Sequence, residues 1–193
     1  MRALLVLAHP LNDSLCAHLA RQAEAALRAR GIAVDVLDLY AEGFAPALTA
    51  DERRAYYATP QPDAAITALQ ARLAAADTLV LVFPIWWFSM PAMLKGWFDR
   101  VWLPGFAFSS GTPIQPLLTG LKSCLAITTL GSPWWVDLLV MRRPVRRVLK
   151  TALLGACAPQ ARFAMLSLPA AEATDAARAK SFVSRIQAAV ARL

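Results

Sequence analysis

Short apolar runs alternate along this chain with apolar stripes of helical period. Residues 3–8 are continuously apolar, the pattern of a strand buried on both faces. A polar stretch, 9–14, follows. Then Leu15, Leu19, Ala23 and Leu27 recur four apart and mark the buried face of a helix. Asn12, Asp13 and Ser14 are all good helix caps, and Gly31 is a good stop before a second strand at 32–37. Residues 39–62 read as irregular, broken by Gly43, Pro46, Pro60 and Pro62, with a short helix around 49–57. Asp63 then caps a helix that turns Ile66, Leu69 and Leu73 inward.

The stretch 77–102 organises the rest. Its apolar run 79–83 predicts a buried strand, and Pro84, which has no N–H to donate, predicts where it stops. Pro91 suits a first helical turn. From there Met93, Trp97 and Val101, and likewise Leu94, Phe98 and Trp102, build a broad apolar face. The loop between the prolines holds Ile85, Trp86, Trp87, Phe88, Ser89 and Met90. Three adjacent aromatics after a parallel strand suggest one wall of a pocket for a flat ligand.

Beyond a Pro- and Gly-rich connection at 103–120, the pattern predicts a strand at 123–129, a loop at 131–137 and a basic amphipathic helix at 144–154. A fifth strand at 161–168 follows, then a helix from about Glu172 that buries Phe182, Ile186, Val190 and Leu193. Strands alternating with helices imply right-handed βαβ units. The expected architecture is one α/β domain over 1–193, a doubly wound five-stranded parallel sheet in the order 2-1-3-4-5 with helices on both faces. Three loops then meet at one edge: 9–14, 84–90 and 128–137.

Composition narrows the chemistry. The hydrophobic fraction is 58%, much of it alanine in helical stretches, and the most apolar stretch carries two prolines, so a spanning helix is not expected. The N-terminus lacks the length and cleavage site of a signal peptide, and the expected location is the cytoplasm. Three cysteines without a Cys-x-x-Cys pair indicate neither a disulfide framework nor a metal site. The net charge of +7 favours anionic partners, with its densest cluster at Arg142, Arg143, Arg146, Arg147 and Lys150. No nucleic-acid motif accompanies it, so nucleic acid is not an expected partner. The first loop lacks Gly-x-Gly-x-x-Gly, and no Gly-x-Ser-x-Gly elbow occurs anywhere. Cys16 and Arg21 are one residue too close for a cysteine phosphatase. The first loop still leads to a helix N-terminus, which attracts phosphate, and His9, Asn12 and Ser14 can add donors or simply cap.

Three segments resemble the NAD(P)H:quinone oxidoreductase family of flavodoxin-like flavoproteins, which includes ancillary subunits of bacterial potassium efflux systems. They are 8–15, the long run 83–101 (Phe-Pro-Ile-Trp-Trp-Phe-Ser-Met-Pro-Ala-Met-Leu-Lys-Gly-Trp-Phe-Asp-Arg-Val), and Thr128-Thr129-Leu130-Gly131. The resemblance implies bound FMN or FAD, with NAD(P)H as co-substrate and a quinone-like acceptor. His9, Ser14 and Leu15 would hold the phosphate end, and Pro84, Ile85, Trp86, Trp87 and Phe88 would run along the ring. Thr128, Thr129, Leu130 and Gly131 would meet its pyrimidine side. Trp87, Phe88, Phe108 and Trp134 would form the stacking site for substrates that take turns. Catalysis needs no protein acid or base, and no metal. It further implies a homodimer, with Phe106 and Phe108 candidates for closing the neighbour's pocket.

Two departures stand out. Ser132-Pro133-Trp134-Trp135-Val136-Asp137 lacks the Tyr and His that family members carry there, and Cys16 replaces an Asn that often accompanies FAD. The second favours FMN over FAD. The first keeps open two alternatives, a flavin-binding regulatory subunit of a membrane transporter and a one-electron flavodoxin-like carrier.

Overall fold

A computed structural model describes residues 1–57 and 62–193; Pro60 lies outside the described residues. Five parallel strands form a single sheet in the order β2-β1-β3-β4-β5. They are β1 (Arg2–Leu7), β2 (Ala33–Asp38), β3 (Thr78–Ile85), β4 (Ser123–Leu130) and β5 (Arg162–Leu168). Alternate side chains feed two cores. Leu5, Leu7, Val80, Val82, Leu125 and Ile127 pack beneath α1 (Leu15–Ala29) and α7 (Ala176–Val190). Leu4, Val6, Leu79, Leu81, Phe83 and Ala126 pack on the opposite side. There they meet α3 (Ala64–Ala74) and α4 (Ala92–Val101), and Val145, Leu149 and Leu154 from the helical stretch 144–157.

β3 does not stop at Pro84. It runs to Ile85, with Pro84 opposite Thr129 and Ile85 opposite Leu130. The main chain shows why the proline is tolerated. The Val82 carbonyl accepts from Ala8 N–H at 3.0 Å, so every second residue of β3 turns its backbone toward β1. Pro84 is the next such residue, and β1 has ended by then, its last partner being Leu7 opposite Val82. No N–H is wanted at that point. β3 and β4 therefore share three rungs beyond the end of β1, about 10 Å of projecting sheet.

The short helix in the irregular segment is α2 (Ala50–Ala55), capped by Thr49 and Glu52 in a reciprocal box. Glu52 also receives Arg100, whose side chain is only 9% exposed, at 2.6 Å, and Arg100 donates to the Ala45 carbonyl as well. Burial opposes ionisation of Glu52. Hydrogen bonds from Thr49 and Arg100 outweigh it and hold the carboxyl below the usual glutamate range. The stability this confers is complete above the unfolded-state value and is lost as pH falls through the lower folded value. The acid side of a plot of unfolding midpoint against pH should therefore be flatter for Glu52→Gln than for the wild type.

The stretch 144–157 is helical, as expected, but not uniformly so. α5 (Pro144–Arg147) passes into widened π turns at Val148–Leu154 and then into α6 (Gly155–Cys157). The spacing of buried residues accounts for this. Val145 to Leu149 is a step of four, and Leu149 to Leu154 a step of five, which only a wider turn keeps on one face. Val136–Val140, read as part of a loop, is also a π turn. The last helix starts at Ala176, capped by Asp175, rather than near Glu172, where a single tight turn (Ala171–Ala173) lies. It buries Phe182, Ile186 and Val190, while Leu193 lies past its end and is half-buried. No helix among the described residues is long and apolar enough to cross a membrane.

Candidate functional site

The three loops emerge at the C-terminal rim, where the projecting β3–β4 pair stands beside the shorter β1. Of the three capping candidates the structure selects Ser14, whose hydroxyl accepts from Ala17 N–H at 3.1 Å. Ser14 also takes His18 N–H on its carbonyl. The first-turn amides of Leu15 and Cys16 have no intrahelical acceptor and point out of the helix end. Leu15 and Ser14 are half-buried; Asn12 is exposed, and its carbonyl accepts from Arg21. The anion-attracting end of a fifteen-residue helix thus opens onto the rim.

His9 is half-buried, and its Nδ1 accepts the Leu11 N–H at 3.0 Å. That nitrogen carries no proton, so the imidazole N–H is on Nε2. Burial lowers the His9 pKa, and Asp13 opposes only part of the shift. His9 is then a neutral donor at pH 7. Its ring lies 6.0 Å from that of Trp86, linking the first loop to the aromatic corner.

The corner is a tight turn. Trp86 N–H donates to the Ser89 carbonyl at 3.2 Å and Ser89 N–H to the Trp86 carbonyl at 2.9 Å. Between them Trp87 and Phe88 both adopt left-handed backbone, at φ 51° and 55°. Such turns ordinarily carry Asn-Gly, because a side-chain-bearing residue pays about 1–2 kcal/mol for this conformation. Trp87 is 98% exposed, so no packing offsets its strain. Trp87→Asn should therefore raise the thermal midpoint by a few degrees, equivalent to about 1 kcal/mol. The same substitution should weaken any ring stacked on the corner, a loss read as a higher KM or Kd.

Ile85, Trp86, Trp87 and Phe88 form one side of a cleft of about 450 Å³, and Leu130, Gly131 and Ser132 the other. Pro84 is buried in the sheet behind them. The threonine side chains of β4 are engaged by neighbouring elements. Thr128 is fully buried, and its hydroxyl donates to Ser167 on β5 at 2.9 Å. The Thr129 hydroxyl lies 3.3 Å from the Cys16 sulfur, tying β4 to the first turn of α1. Both are strand residues with neighbours on either side, and their side chains satisfy each other's elements rather than the cleft. Ser132, which the motif did not single out, lines the cleft, and its Oγ is buried without a partner. Phe106 and Phe108 pack against the core of their own chain, and Trp134 lies at a neighbouring cavity rather than in the cleft.

Burial pushes the Cys16 and Cys157 thiols up to about 11 and Cys124 up to about 12. All three are neutral at pH 7, which excludes a thiolate nucleophile at the first loop. Among the described residues no cluster of His, Cys, Asp and Glu could hold a metal ion.

A doubly wound α/β protein with an aromatic cleft at the C-terminal ends of β3 and β4, one strand from the β1–β3 point where the order reverses, is the class that this geometry defines. Residues 1–158 match the family described as flavodoxin-like fold, and the chain belongs to that family. It is 42% identical over 113 residues to an uncharacterized NAD(P)H oxidoreductase, YcaK, of Escherichia coli, covering 57% of each chain. It is 36% identical over 152 residues to NAD(P)H dehydrogenase [quinone] 1 of Rattus norvegicus, covering 68% of this chain and 54% of that one. The chain thus spans little more than half the length of these curated relatives. A crystal structure of Smu.1420 from Streptococcus mutans superposes over the full length of both chains, with a TM-score of 0.83 at 30% identity. These relatives bear out the resemblance to NAD(P)H:quinone oxidoreductases, and the five-stranded order is as expected.

Proposed function

We propose that the protein is a flavin-dependent NAD(P)H oxidoreductase that passes a hydride from a nicotinamide to a quinone-like acceptor. The observation that carries this reading is the aromatic cleft opening beside the free N-terminus of α1, with the two linked by His9 and Trp86. The donor set fits a flavin phosphate and ring. The amides of Leu15 and Cys16, with His9 Nε2–H, supply N–H donors for a phosphate. The orphaned Ser132 hydroxyl and the main chain of Leu130 and Gly131 offer polar groups to the ring's edge. When bound, a flavin supplies the hydride chemistry, so no side chain need act as acid or base.

The protein's part is positioning. The projecting β3–β4 rungs are a rigid wall, and the left-handed turn holds Trp87 and Phe88 where a second flat ring can rest on them. One open cleft serves donor and acceptor in turn, which gives ping-pong kinetics. Cys16 is buried and engaged with Thr129, leaving no polar side chain there for an adenylate, which favours FMN over FAD. The same reading includes a homodimer, read by analytical ultracentrifugation.

The test is an absorption spectrum with mass analysis of the released cofactor, followed by titration with NAD(P)H. Yellow protein that bleaches is the expected result. Colourless protein that takes up neither FMN nor FAD overturns the reading. Flavin binding without turnover on several quinones would favour a regulatory subunit instead.

A further inference from the structure

A second cavity, of about 300 Å³, adjoins the cleft and shares Leu130 with it. Its lining includes Arg143 and Arg146 from the start of the 144–157 stretch, Arg185 from α7 and Ser167 from β5. Three arginines from two separate parts of the chain thus border one cavity. None of them forms an ion pair among the described residues. Arginines at other packing junctions do: Arg72 is paired with Asp35 and Glu42, and Arg100 with Glu52.

Arg143 and Arg185 are exposed and Arg146 is half-buried. Arg146 lies over the Phe163 ring at 5.4 Å and Arg185 over Phe182 at 5.2 Å, so apolar surface holds both charges in place. Arg143 sits in left-handed backbone at φ 52°, fixed by its N–H to the Asp137 carbonyl at 2.8 Å. Backbone cost of this kind clusters at binding sites. Asp137 is the one carboxyl in the lining. Burial pushes its pKa up, against the pull of Arg143. Three unpaired positive charges around one cavity repel one another, and a bound anion adds attraction to each of them. Planar forks around one hydroxyl match the oxygens of a phosphate.

We propose that this pocket binds a phosphate group, and that the phosphate it holds is the 2′-phosphate of NADPH while the nicotinamide ring enters the adjoining cleft. The first half stands on the pocket alone; the second rests on the oxidoreductase reading above. The alternative source of the same chemistry is free inorganic phosphate.

Calorimetric titration with 2′,5′-ADP, 5′-AMP and inorganic phosphate separates these. It is performed on the wild type and on Arg146→Gln/Arg185→Gln. The expected result is that 2′,5′-ADP binds the wild type at least tenfold more tightly than 5′-AMP, an advantage that the double variant loses. KM for NADPH should rise at least tenfold in that variant while KM for NADH stays within twofold. Inorganic phosphate bound by the wild type and not by the variant, with no 2′-phosphate preference, keeps the pocket and overturns its link to NADPH. Equal binding of every probe to both proteins overturns the proposal entirely. Should the double variant not fold, the exposed Arg143→Gln takes its place, with thermal unfolding as the control. The titrations need no turnover, so protein that binds 2′,5′-ADP but no flavin would retain the pocket and remove the oxidoreductase reading.

Discussion

Replacing Ser14 with aspartate should leave the protein as stable as before and weaken the flavin binding proposed for it. Aspartate caps a helix about as well as serine, so α1 keeps its hydrogen bond to the Ala17 amide. The difference is a negative charge placed at the helix end where a flavin phosphate would sit. At about 4 Å and an effective dielectric near 20, each pair of unit charges repels by about 4 kcal/mol, so even half of that survives as a loss above tenfold. We expect FMN affinity to fall by roughly 100-fold, equivalent to about 2.7 kcal/mol. Riboflavin, which has no phosphate, should bind both proteins alike, and the thermal midpoints should agree within a degree or two. Fluorescence titration with FMN and riboflavin checks this. An equal loss of both ligands would mean that the phosphate is anchored elsewhere.

The second large effect is on the fold itself. Gly96 lies where α4 crosses the segment before α2, and a Cβ built on it would stand 2.2 Å from the Pro46 carbonyl oxygen and 2.5 Å from the Pro46 Cβ. Backbone and a rigid ring cannot swing aside as a flexible side chain would, so helix and segment must separate. Overpacking commonly costs about 1–3 kcal/mol, and contact with main chain puts Gly96→Ala at or above the upper end. For a domain of this size that is a drop in midpoint of about 6–12 °C. The Arg100 bond to the Ala45 carbonyl would be strained by the same movement. Thermal unfolding followed by circular dichroism measures it; a shift below 2 °C would show that the segment yields freely.

Much of the fold was legible because β1 and most of β3 are unmixed apolar runs and the remaining strands are short, largely apolar stretches between helical patterns. Strand order followed from the fit of a five-strand βαβ rhythm to the flavodoxin-like arrangement; handedness alone is shared by several doubly wound orders. The reading that β3 ends at Pro84 failed for an instructive reason. Proline's missing donor matters only where a neighbour needs it, and the sequence does not say that β1 stops first. Trp86, Trp87 and Gly131 border one cleft because two short loops leave adjacent strands side by side. The hydroxyls of Thr128 and Thr129 meet Ser167 and Cys16, which come from β5 and α1 and which local pattern cannot pair with them. The arginine pocket was half visible. Arg143 and Arg146 stood out as a cluster, but Arg185 joins them only through the docking of α7 beside β5.

The unequal lengths of β1 and its neighbour have an evolutionary and practical corollary. A slot whose depth is counted in shared strand rungs is a property of backbone pairing, and its walls tolerate exchange of many side chains so long as those rungs survive. An insertion that let β1 continue alongside Pro84 would cover the edge of β3 that now projects, while preserving every residue that borders the cleft. Strand length, then, is the dimension along which a designer could open or close this molecule to bulkier guests.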